Sequence, residues 1–226
     1  MAKTIVTGAA LALSLAAAVP AQAQQPTVVE LFTSQGCSSC PPANASLAAV
    51  AARPNVIALS FGVTYWDYLG WKDTFAKPQF TDRQIAYEAG LGHSGPFTPQ
   101  IVVNGATDTV GNRQGDVERL IAAAHLAGPA IAIANNVVSV AAAPGQGEAD
   151  VWLVRFDPRT VEVAVARGEN EGVALPHRNV VRALTRLGAW NGKAATYSIS
   201  TAPAGLATAV LIQKPRGGAI IAAYKP

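Results

Sequence analysis

Cysteine is scarce in this sequence, with only Cys37 and Cys40 in a chain of 226 residues. A chain of this length can bury a hydrophobic core without covalent support, so a fold held together by several disulfides is excluded. A bridge between the two cysteines would close a very short loop and would remove little conformational entropy from the unfolded chain. The chemistry of the pair is therefore a better explanation for its presence than bulk stability.

Histidine, methionine and clustered basic residues are also scarce. The three histidines, His93, His125 and His177, are dispersed, and the single methionine is Met1. No cluster of histidine or methionine ligands for a metal ion is visible in this pattern. The 17 Lys and Arg residues are scattered and the formal net charge is only +3, which argues against a nucleic-acid partner.

Long hydrophobic runs are confined to the N-terminus. The chain begins with Lys3, an apolar run over 5–19 and a small-x-small site at 21–23. This order is typical of a cleaved secretory signal, and a run of about 15 residues is shorter than the roughly 20 needed to span a bilayer. We expect residues 1–23 to be a signal peptide and the mature protein to be periplasmic, or secreted, with no stable membrane span. Export would place the cysteines where a pair can cycle between dithiol and disulfide.

The two cysteines lie between a predicted strand and a predicted helix. The segment Thr27–Phe32 is rich in β-formers, and Pro41-Pro42 opens an alanine-rich helical segment. Strand, CxxC and helix in this order are typical of a thioredoxin-like arrangement. At the helix N-terminus, Cys37 would face unpaired backbone N–H groups that stabilise its thiolate and lower its pKa. Cys40, one turn further in and more buried, would attack the mixed disulfide that Cys37 forms.

These features predict a thiol–disulfide oxidoreductase that works through Cys37 and Cys40. Its partners would be protein thiols and disulfides, small thiols or a redox partner protein, and it would need no cofactor beyond its own disulfide. Whether it oxidises, reduces or isomerises its substrates does not follow from the motif.

Three further features could complete such a site. Thr98-Pro99 opens a predicted strand, and we expect a cis peptide bond there that lets Thr98 pair with a substrate chain. Glu30 could be a buried proton acceptor for Cys40 or an ordinary hydrogen-bonded glutamate, and strand alternation does not decide between the two. The predicted groove residues, for whose aromatic members core packing is the alternative, are Ser38, Ser39, Tyr65, Trp66, Asp67 and Phe97.

Two other functions remain open at this point. Cys37 and Cys40, together with His93, could bind copper(I) or zinc in a metallochaperone, because two thiolates and an imidazole suit these ions. Alternatively, the CxxC could be a permanent clip on a redox-silent binding module.

The order of predicted elements indicates an α/β fold in two domains. Residues 24–128 predict a thioredoxin-like domain with an inserted helical segment, a hairpin at Asn104-Gly105 and a final helix over 116–124. Residues 129–226 show short β-like runs that predict a C-terminal antiparallel β-sandwich-like domain. Helical and strand spacing both fit 179–190, and we assign it to a strand. The predicted strands in this half are 130–134, 137–142, 151–156, 161–166, 196–200, 207–213 and 219–223.

Several strings resemble a known family. They are Val29–Pro42 around the cysteines, Tyr65–Asp73, Thr98–Gln100, Arg167–Asn170 and Asn179–Arg182. Together they resemble the bacterial secreted, thioredoxin-like family of unknown function numbered 1223. The resemblance implies a thioredoxin-like fold with a β-rich C-terminal extension in a Gram-negative periplasm, but no substrate.

The chain departs from the pattern of that family at two positions. Relatives commonly carry a histidine and an aspartate before the Tyr-Trp-Asp string, where this chain has Gly62 and Thr64. If those polar residues tune the thiols or bind metal in relatives, this chain has lost that function or moved it.

Overall fold

The computed structural model describes residues 25–226, which form a mixed α/β fold with few helices. The predicted signal peptide, residues 1–23, lies outside the described residues. Between residues 25 and 226, no helix is both long and apolar enough to cross a membrane. The helices are α1 (Pro41–Ala51), α2 (Pro78–Leu91) and α3 (Gln114–Ala123), with a 3-10 turn at Asp67–Leu69.

The strands form one large and one small sheet. They are β1 (Thr27–Thr33), β2 (Val56–Gly62), β3 (Gln100–Val103), β4 (Thr107–Thr109), β5 (Ile131–Ala134), β6 (Val137–Val140), β7 (Ala149–Ala164), β8 (Ala174–Trp190), β9 (Ala195–Ser198), β10 (Ala207–Gln213) and β11 (Ile220–Tyr224). The large sheet has the order β11-β10-β7-β8-β2-β1-β3-β4, and the small one β5-β6-β9. The pairs β1–β2 and β2–β8 are parallel, whereas the other pairs are antiparallel.

β1 is buried along its whole length because helices cover both faces of the sheet. On one face, Leu31 packs in a core cluster with Leu47 of α1. On the other, the ring centroid of Phe32 lies 6.1 Å from that of Tyr87 in α2. Since side chains alternate along a strand, Glu30 lies on the α2 face, opposite the helix that follows the cysteines.

Local turn chemistry matches the sequence. Asn104 and Gly105 form the turn between β3 and β4 with φ of 49° and 61°, the left-handed conformation that an Asn-Gly hairpin requires. α2 begins at Pro78 and is terminated after Leu91 by Gly92, whose φ is 80°. Residues 179–190 lie within β8, so their assignment to a strand is confirmed.

The C-terminal half differs from the prediction in its connections. The strands predicted over 151–156 and 161–166 are one strand, β7, which absorbs Pro158 through a register shift between Asp157 and Thr160. Four strands of this half also extend the sheet of the N-terminal half, because β8 pairs with β2 at Ser60 and Val180. The large sheet therefore continues across the boundary predicted at residues 128 and 129. The small sheet packs on the large one through a separate core cluster that contains Val138 of β6 and Val151 of β7.

Candidate functional site

Cys37 and Cys40 form a disulfide in the loop between β1 and α1, with their Cα atoms 5.5 Å apart. The Cys37 N–H donates to the Ser34 carbonyl and the Cys40 N–H to the Cys37 carbonyl, both at 3.2 Å, so the loop consists of tight turns. The prediction that Cys40 is the more buried cysteine is wrong, because both residues have 0% exposure. The bridge is closed off from solvent in this conformation.

The start of α1 has no backbone donor to spare for sulfur. Cys40 occupies the N-cap position and Pro41-Pro42 the first two helical positions, which therefore carry no N–H. The N–H groups of the next two residues both donate to the Cys40 carbonyl, at 3.0 and 3.1 Å. The expectation that free N–H groups of this helix stabilise the Cys37 thiolate is therefore wrong.

Two hydroxyl groups contact the sulfur of Cys37 instead. Ser39 Oγ lies 3.2 Å from Cys37 Sγ, and Thr98 Oγ1 lies 3.3 Å from the same atom. Trp66 Nε1 donates to Thr98 Oγ1 at 2.7 Å. Because an indole N–H can only donate, the Thr98 hydroxyl accepts from Trp66 and its single proton is left for the sulfur. Trp66 therefore orients Thr98 as a donor to Cys37.

The backbone of Thr98 also faces the cysteine loop. The Thr98-Pro99 peptide bond is cis, as predicted, and leads directly into β3 next to β1. Ser39 Oγ lies 3.5 Å from the Thr98 carbonyl oxygen. Thr98 thus presents both its hydroxyl and its carbonyl to the cysteine loop.

The remaining predicted groove residues divide into two sets. Trp66 is half-buried and stacks on Tyr68, with 6.4 Å between the ring centroids. Tyr68 is 78% exposed, so an aromatic surface lies beside the disulfide. Tyr65 donates to Gln84 Oε1 at 3.2 Å, and burial raises the pKa of Tyr65 to about 12, so its hydroxyl stays protonated. Asp67 instead accepts the Asp73 N–H at 3.2 Å within its own segment.

Phe97, the residue before Thr98, is the last of the predicted groove residues. Its ring packs edge-on against His93, with 5.1 Å between ring centroids, and its carbonyl accepts from Gln84 Nε2 at 2.7 Å. Phe97 is half-buried and supports the segment that leads to Thr98.

A buried glutamine next to the disulfide was not singled out from the sequence. The Gln35 N–H donates to Asp73 Oδ2 at 2.7 Å, and Gln35 Oε1 accepts from Trp71 Nε1 at 2.9 Å and from the Thr74 N–H at 3.1 Å. Burial raises the pKa of Asp73, although hydrogen bonds from three backbone N–H groups oppose the shift. These bonds attach the turn before Cys37 to residues 71–74.

Two residues of the loop between β7 and β8 also reach the cysteines. Glu169 Oε2 accepts from the Ser38 N–H at 2.9 Å and from Ser38 Oγ at 2.8 Å. Asn170 Nδ2 donates to the Gln35 and Cys37 carbonyls at 2.9 and 2.8 Å. Nothing local to the sequence of this loop predicted a contact with Ser38, 131 residues away.

Glu30 has a different environment from that of a proton acceptor for Cys40. Arg83 Nε donates to Glu30 Oε1 at 2.7 Å and Arg83 Nη2 to Oε2 at 3.1 Å, while the Tyr87 hydroxyl also donates to Oε2. Burial alone would lower the pKa of Arg83, but its interactions with Glu30 and Tyr87 together outweigh burial and raise that pKa. Because Glu30 is ion-paired on the face opposite α1, we do not retain it as a proton shuttle.

The alternative metal ligands are not assembled. His93 Nε2 lies 2.7 Å from Asp108 Oδ2, and the two cysteines are joined to each other rather than present as thiolates. Among residues 25–226 no group of three or more His, Cys, Asp or Glu side chains is arranged to hold a metal ion. Cys37, Cys40 and His93 therefore do not form such a group in this conformation.

Comparisons with known proteins give a family and two structural relatives. The family described as "Protein of unknown function (DUF1223)" matches residues 28–213. The crystal structure of protein AGR_C_4864 from Agrobacterium tumefaciens is 33% identical and superposes with a TM-score of 0.73, covering 90% of this chain and 95% of that one. HBP35 of Porphyromonas gingivalis is 13% identical, has a TM-score of 0.57 and is similar in fold over 90% of this chain and 75% of its own. No curated protein matches the sequence.

Proposed function

The chain belongs to the DUF1223 family of proteins of unknown function, and we propose that it is an exported thiol–disulfide oxidoreductase that acts through Cys37 and Cys40. The observation that carries the proposal is the pair of hydroxyls on Cys37 Sγ, one of them oriented by Trp66. A purely structural bridge would gain little from donors aimed at one of its sulfurs, whereas a thiolate at that position gains charge-assisted hydrogen bonds. The arrangement therefore favours Cys37 as the sulfur that carries negative charge.

The exchange needs only the two cysteines and a partner. In the reducing direction the Cys37 thiolate attacks a partner disulfide, and one partner sulfur leaves as a thiolate that takes a proton from water. The Cys40 thiolate then attacks Cys37 Sγ in the mixed disulfide and releases the second partner sulfur. Two electrons pass to the partner, the Cys37–Cys40 bond forms, and the reverse sequence oxidises a partner dithiol.

The element order around the site supports the finer proposal of a thioredoxin-like core. β1, the cysteine loop and α1 are followed by the parallel strand β2, and β3 enters beside β1 after Thr98-Pro99. The sequence pattern of residues 1–23 supports export, which would supply the oxidising setting that the pair needs. Metal carriage is not retained as a second function, since His93 is paired with Asp108.

A turnover assay tests the proposal. The protein without its signal should accelerate the reduction of insulin by dithiothreitol, or the oxidation of a reduced unfolded protein by oxidised glutathione. The double variant Cys37→Ala/Cys40→Ala should show only the uncatalysed rate. Equal rates for the two proteins in both directions would contradict the proposed function.

Thr98→Val should slow the chemistry of Cys37. With Cys40 replaced by alanine, the rate of alkylation of Cys37 by iodoacetamide at pH 7 should fall about tenfold, because a hydrogen bond to a charged group contributes about 1.5–3 kcal/mol. Thr98→Ser retains the hydroxyl and is the matched control, with a rate close to that of the parent. If the valine and serine variants react at the same rate, Thr98 does not act through its hydroxyl.

A further inference from the structure

The loop between β7 and β8 lies directly over the cysteine loop. The Asn170 side chain, itself buried, bonds to the carbonyls on both sides of Gly36, and the Glu169 N–H donates to the Gly36 carbonyl at 3.4 Å. A Cβ added at Gly168 would lie 3.5 Å from the Gly36 Cα atom, which is van der Waals contact. The two loops are therefore packed face to face.

Access to the disulfide requires some part of this assembly to move. A partner thiolate must contact a sulfur atom, yet both cysteines have 0% exposure. Thr98 and the cysteine loop are continuous with the central strands β3 and β1, so moving either would disturb the core. The loop from β7 to β8 belongs to no strand and is tied to the cysteine loop by hydrogen bonds of Glu169 and Asn170, so it is the segment that can be displaced at least cost.

The backbone of this loop has suitable points at which to turn. Gly168 and Gly172 flank the contacting residues with φ of 87° and 79°, a conformation that glycine adopts without strain. Below them, the Gly172 N–H donates to the Val165 carbonyl at 2.8 Å and the Val165 N–H to the Val173 carbonyl at 3.0 Å. These bonds close the base of the hairpin, so residues 166–171 can move without opening β7 and β8.

We propose that residues 166–171 form a cap that closes over the disulfide through Glu169 and Asn170 and loosens when Cys37 is reduced to a thiolate. The proposal deepens the proposed function and rests on it for its biological meaning. Glu169 and Asn170 are positioning residues in this scheme, because they act on the backbone of the cysteine loop and not on a substrate.

The charge of Glu169 gives the cap its dependence on the redox state. Hydrogen bonds from the Ser38 backbone N–H and then from its hydroxyl lower the pKa of Glu169, so the side chain is a carboxylate at neutral pH. Ser38 directly follows Cys37 in the chain, so the carboxylate lies close to a neutral disulfide in the oxidised protein and close to a thiolate in the reduced protein. Like charges repel, so reduction of Cys37 weakens the latch, by which we mean the hydrogen bonds between Ser38 and Glu169. By the same coupling, the Glu169 carboxylate disfavours the thiolate form of Cys37.

Matched charge variants test the cap. Glu171 belongs to the same loop, is exposed and makes no side-chain hydrogen bond among the described residues, so Glu171→Gln removes the same charge without touching the latch. Dithiothreitol reduces the protein disulfide by attack on sulfur and leaves as its own cyclic disulfide. Glu169→Gln should be reduced about threefold faster than the parent protein, and Asn170→Ala about tenfold faster, since it loses two buried hydrogen bonds. Glu171→Gln should match the parent.

The equilibrium with glutathione separates the charge of Glu169 from a merely structural effect. Glu169→Gln should shift the equilibrium constant about threefold towards the protein dithiol, and the difference from the parent should shrink at about 0.5 M salt because the carboxylate is exposed to solvent. Identical reduction rates in all four proteins, or an equal effect of Glu171→Gln, would overturn the cap. These measurements need no catalysis, so the cap can stand if insulin turnover fails, and it can fail while turnover persists.

Discussion

Replacing Arg83 with methionine should lower the free energy of unfolding by about 3–5 kcal/mol. The Arg83 side chain is 4% exposed and the Glu30 side chain 0%, so the change leaves a carboxylate in the core without its cation. Arg83 also donates to Gln213 Oε1 at 3.1 Å and to the Tyr87 hydroxyl at 2.9 Å, and both bonds are lost with it. Urea denaturation followed by tryptophan fluorescence measures the loss.

Two further variants make this prediction specific. Arg113 forms an ion pair with Asp116 at 2.8 Å but is 79% exposed, so Arg113→Met should cost less than about 1 kcal/mol. The double variant Glu30→Leu/Arg83→Met should be more stable than Arg83→Met alone, because no unpaired charge remains in the core. If Arg83→Met destabilises the protein no more than Arg113→Met does, the buried pair lacks the structural role assigned to it.

The ion pair also changes which residues are candidates to act on the disulfide. Glu30 was a candidate for proton transfer on the grounds of its position in a hydrophobic strand near the cysteines. Its partner lies on α2, 53 residues away, and periodicity can show that a residue is buried without showing what it meets. With Glu30 engaged by Arg83, the side-chain groups that contact the sulfur of Cys37 are the hydroxyls of Ser39 and Thr98.

Features that depend on neighbouring residues were predictable from the sequence. The Asn104-Gly105 turn, the helix opened by Pro41-Pro42 and the cis bond before Pro99 follow from short-range backbone chemistry and from the strand–CxxC–helix pattern. The prolines limit the donors at the cysteines, because residues without N–H groups cannot donate to a thiolate. The donors at Cys37 are hydroxyl groups, one of them on Ser39 within the motif itself.

Contacts between distant segments were not predictable in this way. Pro158 suggested a break between two strands, but a register shift absorbs it and β7 continues to Ala164. The resulting long hairpin carries Glu169 and Asn170 to the cysteine loop. The C-terminal half, whose role the sequence left open, thus supplies the cover of the site and four strands of the large sheet.

The measurement that tests the central claim most directly is mass spectrometry of the two single-cysteine variants after incubation with oxidised glutathione. If Cys37 is the nucleophile, Cys40→Ala should accumulate one glutathione per chain as a stable mixed disulfide, because the resolving thiol is missing. Cys37→Ala should acquire glutathione at least about tenfold more slowly, since the hydroxyl donors serve position 37. Equal rates, or faster modification of Cys37→Ala, would contradict the assignment of Cys37 as the attacking sulfur.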